Sequence, residues 1–81
     1  MYYIDNYGRF EIQVEQEFDG LIFQWRKYQN SPMIKKLGGM YANYCEQTNS
    51  IKFYKNEYIR DKALPKFIDS NNDIAPTVNL N

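Results

Sequence analysis

The chain has no histidine and only one cysteine, Cys45, among its 81 residues. A lone thiol cannot close a disulfide within the chain, and a structural zinc site needs four Cys or His ligands, so neither kind of staple is open to this fold. Nucleophilic catalysis of the Cys–His or Ser–His type lacks its base. No apolar run approaches the ~20 residues of a membrane-spanning helix. The residues after Met1 lead straight into polar alternation, unlike a secretory leader. A single cysteine also suits a reducing compartment. These shortages lead us to expect a soluble, cytoplasmic domain with no cofactor, no metal, no membrane contact and no small-molecule substrate.

What the chain does hold is aromatic. Eight Tyr, five Phe and one Trp can each bury about 150–250 Å². A chain of this length forms one domain and buries only about 60–65% of its unfolded surface, so these rings must supply the core. Charge is balanced in total but unevenly spread. Residues 1–24 carry five acids and one base, residues 25–66 nine bases and three acids, and residues 67–81 two further acids. Such asymmetry can steer a partner, or it can be neutralised within the fold.

Phe18-Asp19-Gly20-Leu21 is the clearest local signal. Asp-Gly between alternating runs marks a two-residue hairpin, because both turn residues take positive φ. In that register Phe18 faces Leu21, Val14 faces Trp25 and Ile12 faces Lys27. One face then reads Phe10, Ile12, Val14, Phe18, Leu21, Phe23 and Trp25. The polar face carries Glu11, Glu15 and Glu17. Tyr2-Tyr3-Ile4 and the turn-forming Asn6-Tyr7-Gly8 add a third strand upstream. Ser31-Pro32 reads as a helix start. Met33, Ile34, Leu37, Met40, Tyr41, Tyr44 and Cys45 follow at helical spacing. Gly38-Gly39 interrupts that stretch, either as a break or as room for a neighbouring backbone. Residues 51–63 fit a helix, or equally a strand over 51–54 and a short helix capped by Asn56. The expected fold class is α+β: a three-stranded antiparallel meander, one helix packed on its apolar face and a mixed C-terminal element. Residues 1–68 form the domain. Residues 69–81 form a polar tail, in which Thr77–Leu80 could add an edge strand.

Trp25-Arg26-Lys27-Tyr28 resembles the signature of the WRKY DNA-binding family, with Asp19-Gly20 upstream and Cys45 downstream as in that family's layout. The chain continues Gln29-Asn30-Ser31 where the family has Gly-Gln-Lys, and the second Cys and both His of the family's zinc site are missing. No residue role is carried over from this likeness. Asp69-Ser70-Asn71-Asn72-Asp73 matches the opening of a calcium loop, but Ile74 replaces the required Gly and Leu80 the closing Glu. Gly38-Gly39 lacks the Gly-Lys-Ser/Thr context of a phosphate loop.

The basic middle segment interleaves cations and rings. Its candidate partner-binding residues are Arg26, Tyr28, Lys35, Lys36, Lys52, Lys55, Arg60 and Lys62. Cations beside aromatics suit single-stranded nucleic acid, and Arg with aromatics also suits protein interfaces. No catalytic constellation stands out. The expectation is a small non-enzymatic interaction protein, such as an inhibitor carried by a phage or mobile element. It would bind a larger macromolecule, a protein more readily than a nucleic acid. The alternative is a nucleic-acid-binding module that uses the basic, aromatic surface.

Overall fold

Turn chemistry starts the sheet. The computed structural model describes residues 1–63 and the backbone of residues 78–79. Asp19 and Gly20 take φ of 56° and 84°, closing a two-residue hairpin between β2 (Gly8–Phe18) and β3 (Leu21–Tyr28). Upstream, the Asp5 carboxylate accepts a hydrogen bond from the Tyr7 N–H at 2.7 Å. This Asx turn folds β1 (Tyr3–Asp5) back onto β2.

The hairpin register follows the turn from Phe18–Leu21 to Val14–Trp25 and then slips by one at Gln13. Beyond this bulge Ile12 lies opposite Arg26 and Phe10 opposite Tyr28; the expected pairing of Ile12 with Lys27 does not form. Because alternate residues point to opposite faces, the extra residue changes the parity of the strand. Phe10 and Ile12 project with Arg26 and Tyr28 from the first face of the sheet. Val14, Gln16 and Phe18 project with Phe23 and Trp25 from the second. Glu11 is likewise separated from Glu15 and Glu17. The single apolar face expected along β2 is therefore divided between two cores.

α1 starts as the sequence indicates, with the Ser31 hydroxyl accepting from the Ile34 N–H at 3.1 Å and Pro32 in the first turn. It ends after six residues (Pro32–Leu37). Gly38 and Gly39 both take strongly positive φ, 136° and 137°, and Met40 leads into β4 (Tyr41–Cys45). A Cβ on Gly38 would lie 2.7 Å from the Phe53 carbonyl oxygen, so the glycines break the helix and also let another backbone pass. β5 (Ser50–Tyr54) and α2 (Glu57–Lys62) follow. The Asn56 side chain caps α2 by accepting from the Ile59 N–H at 2.8 Å. The strand-then-helix alternative for residues 51–63 is the one realised.

The chain is thus not a three-stranded meander with one packed helix. Among the described residues five antiparallel strands, β1 to β5, pair in sequence order, and two short helices accompany them. A two-residue β6 (Val78–Asn79) pairs with β5 at Ile51 and Ser50, taking the edge-strand alternative. The rest of the polar tail, including Asp69–Asp73, lies outside the described residues. The apolar residues of β4 fit helical spacing because the strand is covered on both sides.

The first face carries the larger core: Phe10, Tyr28, Ala42, Ile51 and Phe53, closed by Ile34 of α1. Its rings interlock, with centroids 4.9 Å apart for Phe10–Tyr28 and 5.2 Å for Tyr28–Phe53. The second face holds Phe23, Cys45 and Leu21, with α2 against β4 and β5. Among the described residues no helix is long and apolar enough to cross a membrane.

Candidate binding surface

Three of the eight residues singled out in the basic segment are interior parts of the fold. Arg26 is 7% exposed, and its guanidinium lies 4.0 Å from the ring centroids of both Phe10 and Tyr44. Its Nη1 donates to Asp5 at 3.3 Å and to the Tyr28 hydroxyl at 2.9 Å, and its Nε to Gln24 at 2.9 Å. Tyr28 is 1% exposed and donates its hydroxyl proton to Asp5. Arg60, 2% exposed, donates to Gln13 at 2.7 Å, to the Arg26 carbonyl at 3.2 Å and to Asp61 at 2.9 Å. Its guanidinium stands 5.0 Å from the Trp25 ring centroid and 5.5 Å from that of Tyr41. The bulge at Gln13 therefore has a structural role, because it aims the amide that ties α2 to β2. Cations beside rings are here internal cation–π contacts that satisfy buried charge.

Burial pushes the Tyr28 hydroxyl far above its usual pKa of 10, and the hydrogen bond to Asp5 adds to the rise against the opposing charge of Arg26. Tyr54 is raised too, chiefly by burial. A phenol raised in this way contributes stability that is complete below the unfolded pKa near 10 and declines as pH climbs above it. Urea midpoints measured between pH 8 and 11 should fall more steeply for the wild type than for Tyr28→Phe. Tyr54 will leave some slope in the variant. Identical slopes in the two proteins would contradict this placement of Tyr28.

The five lysines do not form one surface. Lys35 and Lys36 are exposed in the last turn of α1, against the first face. There they complement the carbonyl end of the helix, whereas a longer helix would have set them near its amino end. Lys52 is half-buried on the second face, opposite Asn43. Lys55 is exposed between β5 and α2. Lys62 is exposed on α2, its Nζ 4.5 Å from the Tyr58 ring centroid. The lysines of α1 and those of β5 and α2 thus lie on opposite sides of the sheet, whereas a stripe that tracks one backbone needs its cations together.

A different surface emerges at the β1 edge. Tyr2, Tyr3 and Ile4 are 63%, 44% and 78% exposed. Among the described residues β1 pairs only with β2. The Arg9 carbonyl accepts from the Gln29 N–H at 2.8 Å, so the Arg9 peptide groups turn toward β3. Arg9 lies opposite Ile4, and in an antiparallel ladder that makes a non-hydrogen-bonded pair. The N–H and C=O of Ile4 consequently point outward from the sheet. Beside this edge a cleft of about 340 Å³ is lined by Tyr2, Arg9, Glu11, Lys27, Gln29 and Met40, among others. The Arg9 guanidinium sits 5.3 Å from the Tyr2 ring centroid, and Lys27 Nζ 5.7 Å from that of Tyr41. Ion pairs among the described residues join Arg26 to Asp5 and Arg60 to Asp61; they include neither Arg9 nor Lys27. Tyr2-Tyr3-Ile4 is legible in the sequence as a strand, but only the strand order shows that it stands at an edge.

Cys45 is fully buried in the second-face core. Among the described residues no three His, Cys, Asp or Glu side chains gather as a metal site. Comparison of the chain with protein-family models, with curated proteins and with solved structures gives no match.

Proposed function

We propose that the chain is a small non-catalytic binding protein that docks an extended segment of a larger protein on the free edge of β1. The observation that carries this reading is the outward-facing peptide of Ile4, set in a run of exposed apolar residues. An unpaired edge of this kind supports strand addition, in which backbone hydrogen bonds give affinity and alternate side chains give specificity. An inhibitor of the kind carried by phages or mobile elements, acting in the cytoplasm, fits this mode of binding and the single buried thiol. The nucleic-acid alternative loses support from the burial of Arg26, Tyr28 and Arg60 and from the separation of the lysines.

Ile4→Pro isolates the edge. Its lost N–H is the outward one, so no β1–β2 bond is removed, and proline is tolerated on an edge strand. The melting temperature should stay within about 5 °C of wild type, equivalent to about 1 kcal/mol. In a nuclease-treated lysate the wild type should retain a protein partner that Ile4→Pro fails to retain. Recovery of nucleic acid alone, removable by nuclease or salt, would replace this reading with the nucleic-acid one.

A further inference from the structure

We infer that the segment docked on β1 is acidic on the side of the second face, where Arg9 reads it with support from Lys27. This rests on the strand-addition reading and deepens it by giving the partner a chemistry. Ile4 and Arg9 are cross-strand partners, so both project from the second face. Arg9 is exposed, and its guanidinium lies over Tyr2, the residue just before β1. Its charge is therefore carried toward the edge. Adjacent strands are about 4.8 Å apart, so a strand added to β1 would run about 10 Å from β2. An arginine and a carboxylate side chain together bridge that distance. Same-face neighbours on the incoming strand are two residues apart. The inferred partner thus places an apolar residue beside Ile4 and an Asp or Glu two positions away, near Arg9.

Charge also separates this occupant from a second copy of the chain. Self-pairing about Ile4 would bring the exposed Arg9 of each copy onto the same face, cation toward cation. Tyr2, Tyr3 and Ile4 offer no carboxylate to offset it. Lys27 adds positive charge to the cleft, and Glu11, its cross-strand partner, balances only one of the two cations.

A displayed library of random nonapeptides, selected on the immobilised full chain and counter-selected on Ile4→Pro, tests the inference. Enriched peptides should alternate β-branched or aromatic residues with an Asp or Glu on the same face. A synthetic peptide from that set should lose at least tenfold in affinity when its acid becomes Lys. Arg9→Glu should reverse the preference and Arg9→Gln should abolish it, with circular dichroism melts showing both variants folded. Peptides that depend on Ile4 but ignore charge and Arg9 would overturn the inference while leaving the edge reading intact. If no selected peptide depends on Ile4, both fall. A dimer in sedimentation that Ile4→Pro dissociates would assign the edge to a second copy and overturn the inference.

Discussion

Gly39→Ala is expected to remove a large part of the domain's stability. Gly39 has φ of +137°, a region that side-chain-bearing residues rarely enter, and the strain of forcing one there is about 1–3 kcal/mol. The added methyl would also fall on the Tyr54 carbonyl oxygen and the Lys55 Cα, and 2.6 Å from the Tyr54 carbonyl carbon. These are backbone atoms, which cannot rotate away as a flexible side chain would. Overpacking of this kind adds a further 1–3 kcal/mol or so. A combined loss of roughly 2–6 kcal/mol compares with the 5–15 kcal/mol that native domains typically possess. Gly8→Ala is the control, since Gly8 also has positive φ, +122°, but an added Cβ meets nothing within 4 Å. Denaturant melts of the two variants separate strain from contact. If Gly39→Ala costs no more than Gly8→Ala, the close passage of the β5–α2 backbone is wrong.

That glycine pair shows how far the sequence could be read. Gly38-Gly39 signalled both a break and a close approach, and the chain uses it for both. What hid β4 was the covering of both its faces. Ala42 packs in the first core while Asn43 and Cys45 are buried on the second, so the period of two that identifies a half-buried strand is absent. The hairpin was legible because Asp19-Gly20 has few other uses. Its bulge was not, because Phe10, Ile12 and Val14 alternate perfectly and nothing local shows that the parity changes at Gln13. Gln16, lying between Val14 and Phe18, is discordant on that face, and so is Lys27, which the unbulged register sets opposite Ile12. The burial of three of the eight candidate binding residues was hidden for a related reason. Cations interleaved with rings look alike in sequence whether they meet a ligand or one another. Arg26 and Arg60 meet the rings of their own core, and only the strand order reveals which residues stand at a free edge.

Arg26→Met is expected to cost about 3–5 kcal/mol, the usual penalty for removing one partner of a buried ion pair. Arg26 and Asp5 side chains are only 8% and 19% exposed, so water cannot readily replace the lost partner. The Asp5 carboxylate would keep the Tyr28 hydroxyl but lose its counter-charge, and the slot between Phe10 and Tyr44 would lose its cation. Asp5→Asn should cost less, because the amide oxygen can still accept from Tyr28. The double variant Asp5→Asn/Arg26→Met removes both charges and should recover about 1–3 kcal/mol relative to the sum of the single losses, since contacting residues couple on that scale. Additivity within about 0.5 kcal/mol would show that the pair does not act as a unit. The effect should also reach the binding edge. Asp5 ends β1 and is its tie to Arg26 in β3, so losing Arg26 should free β1 before the rest of the sheet. Amide exchange at Tyr3 and Asp5, whose N–H groups face β2, should accelerate in Arg26→Met well before that of Phe53 in the core. Uniform acceleration across all strands would mean that Arg26 stabilises the whole sheet without specifically securing the strand on which the proposed partner docks.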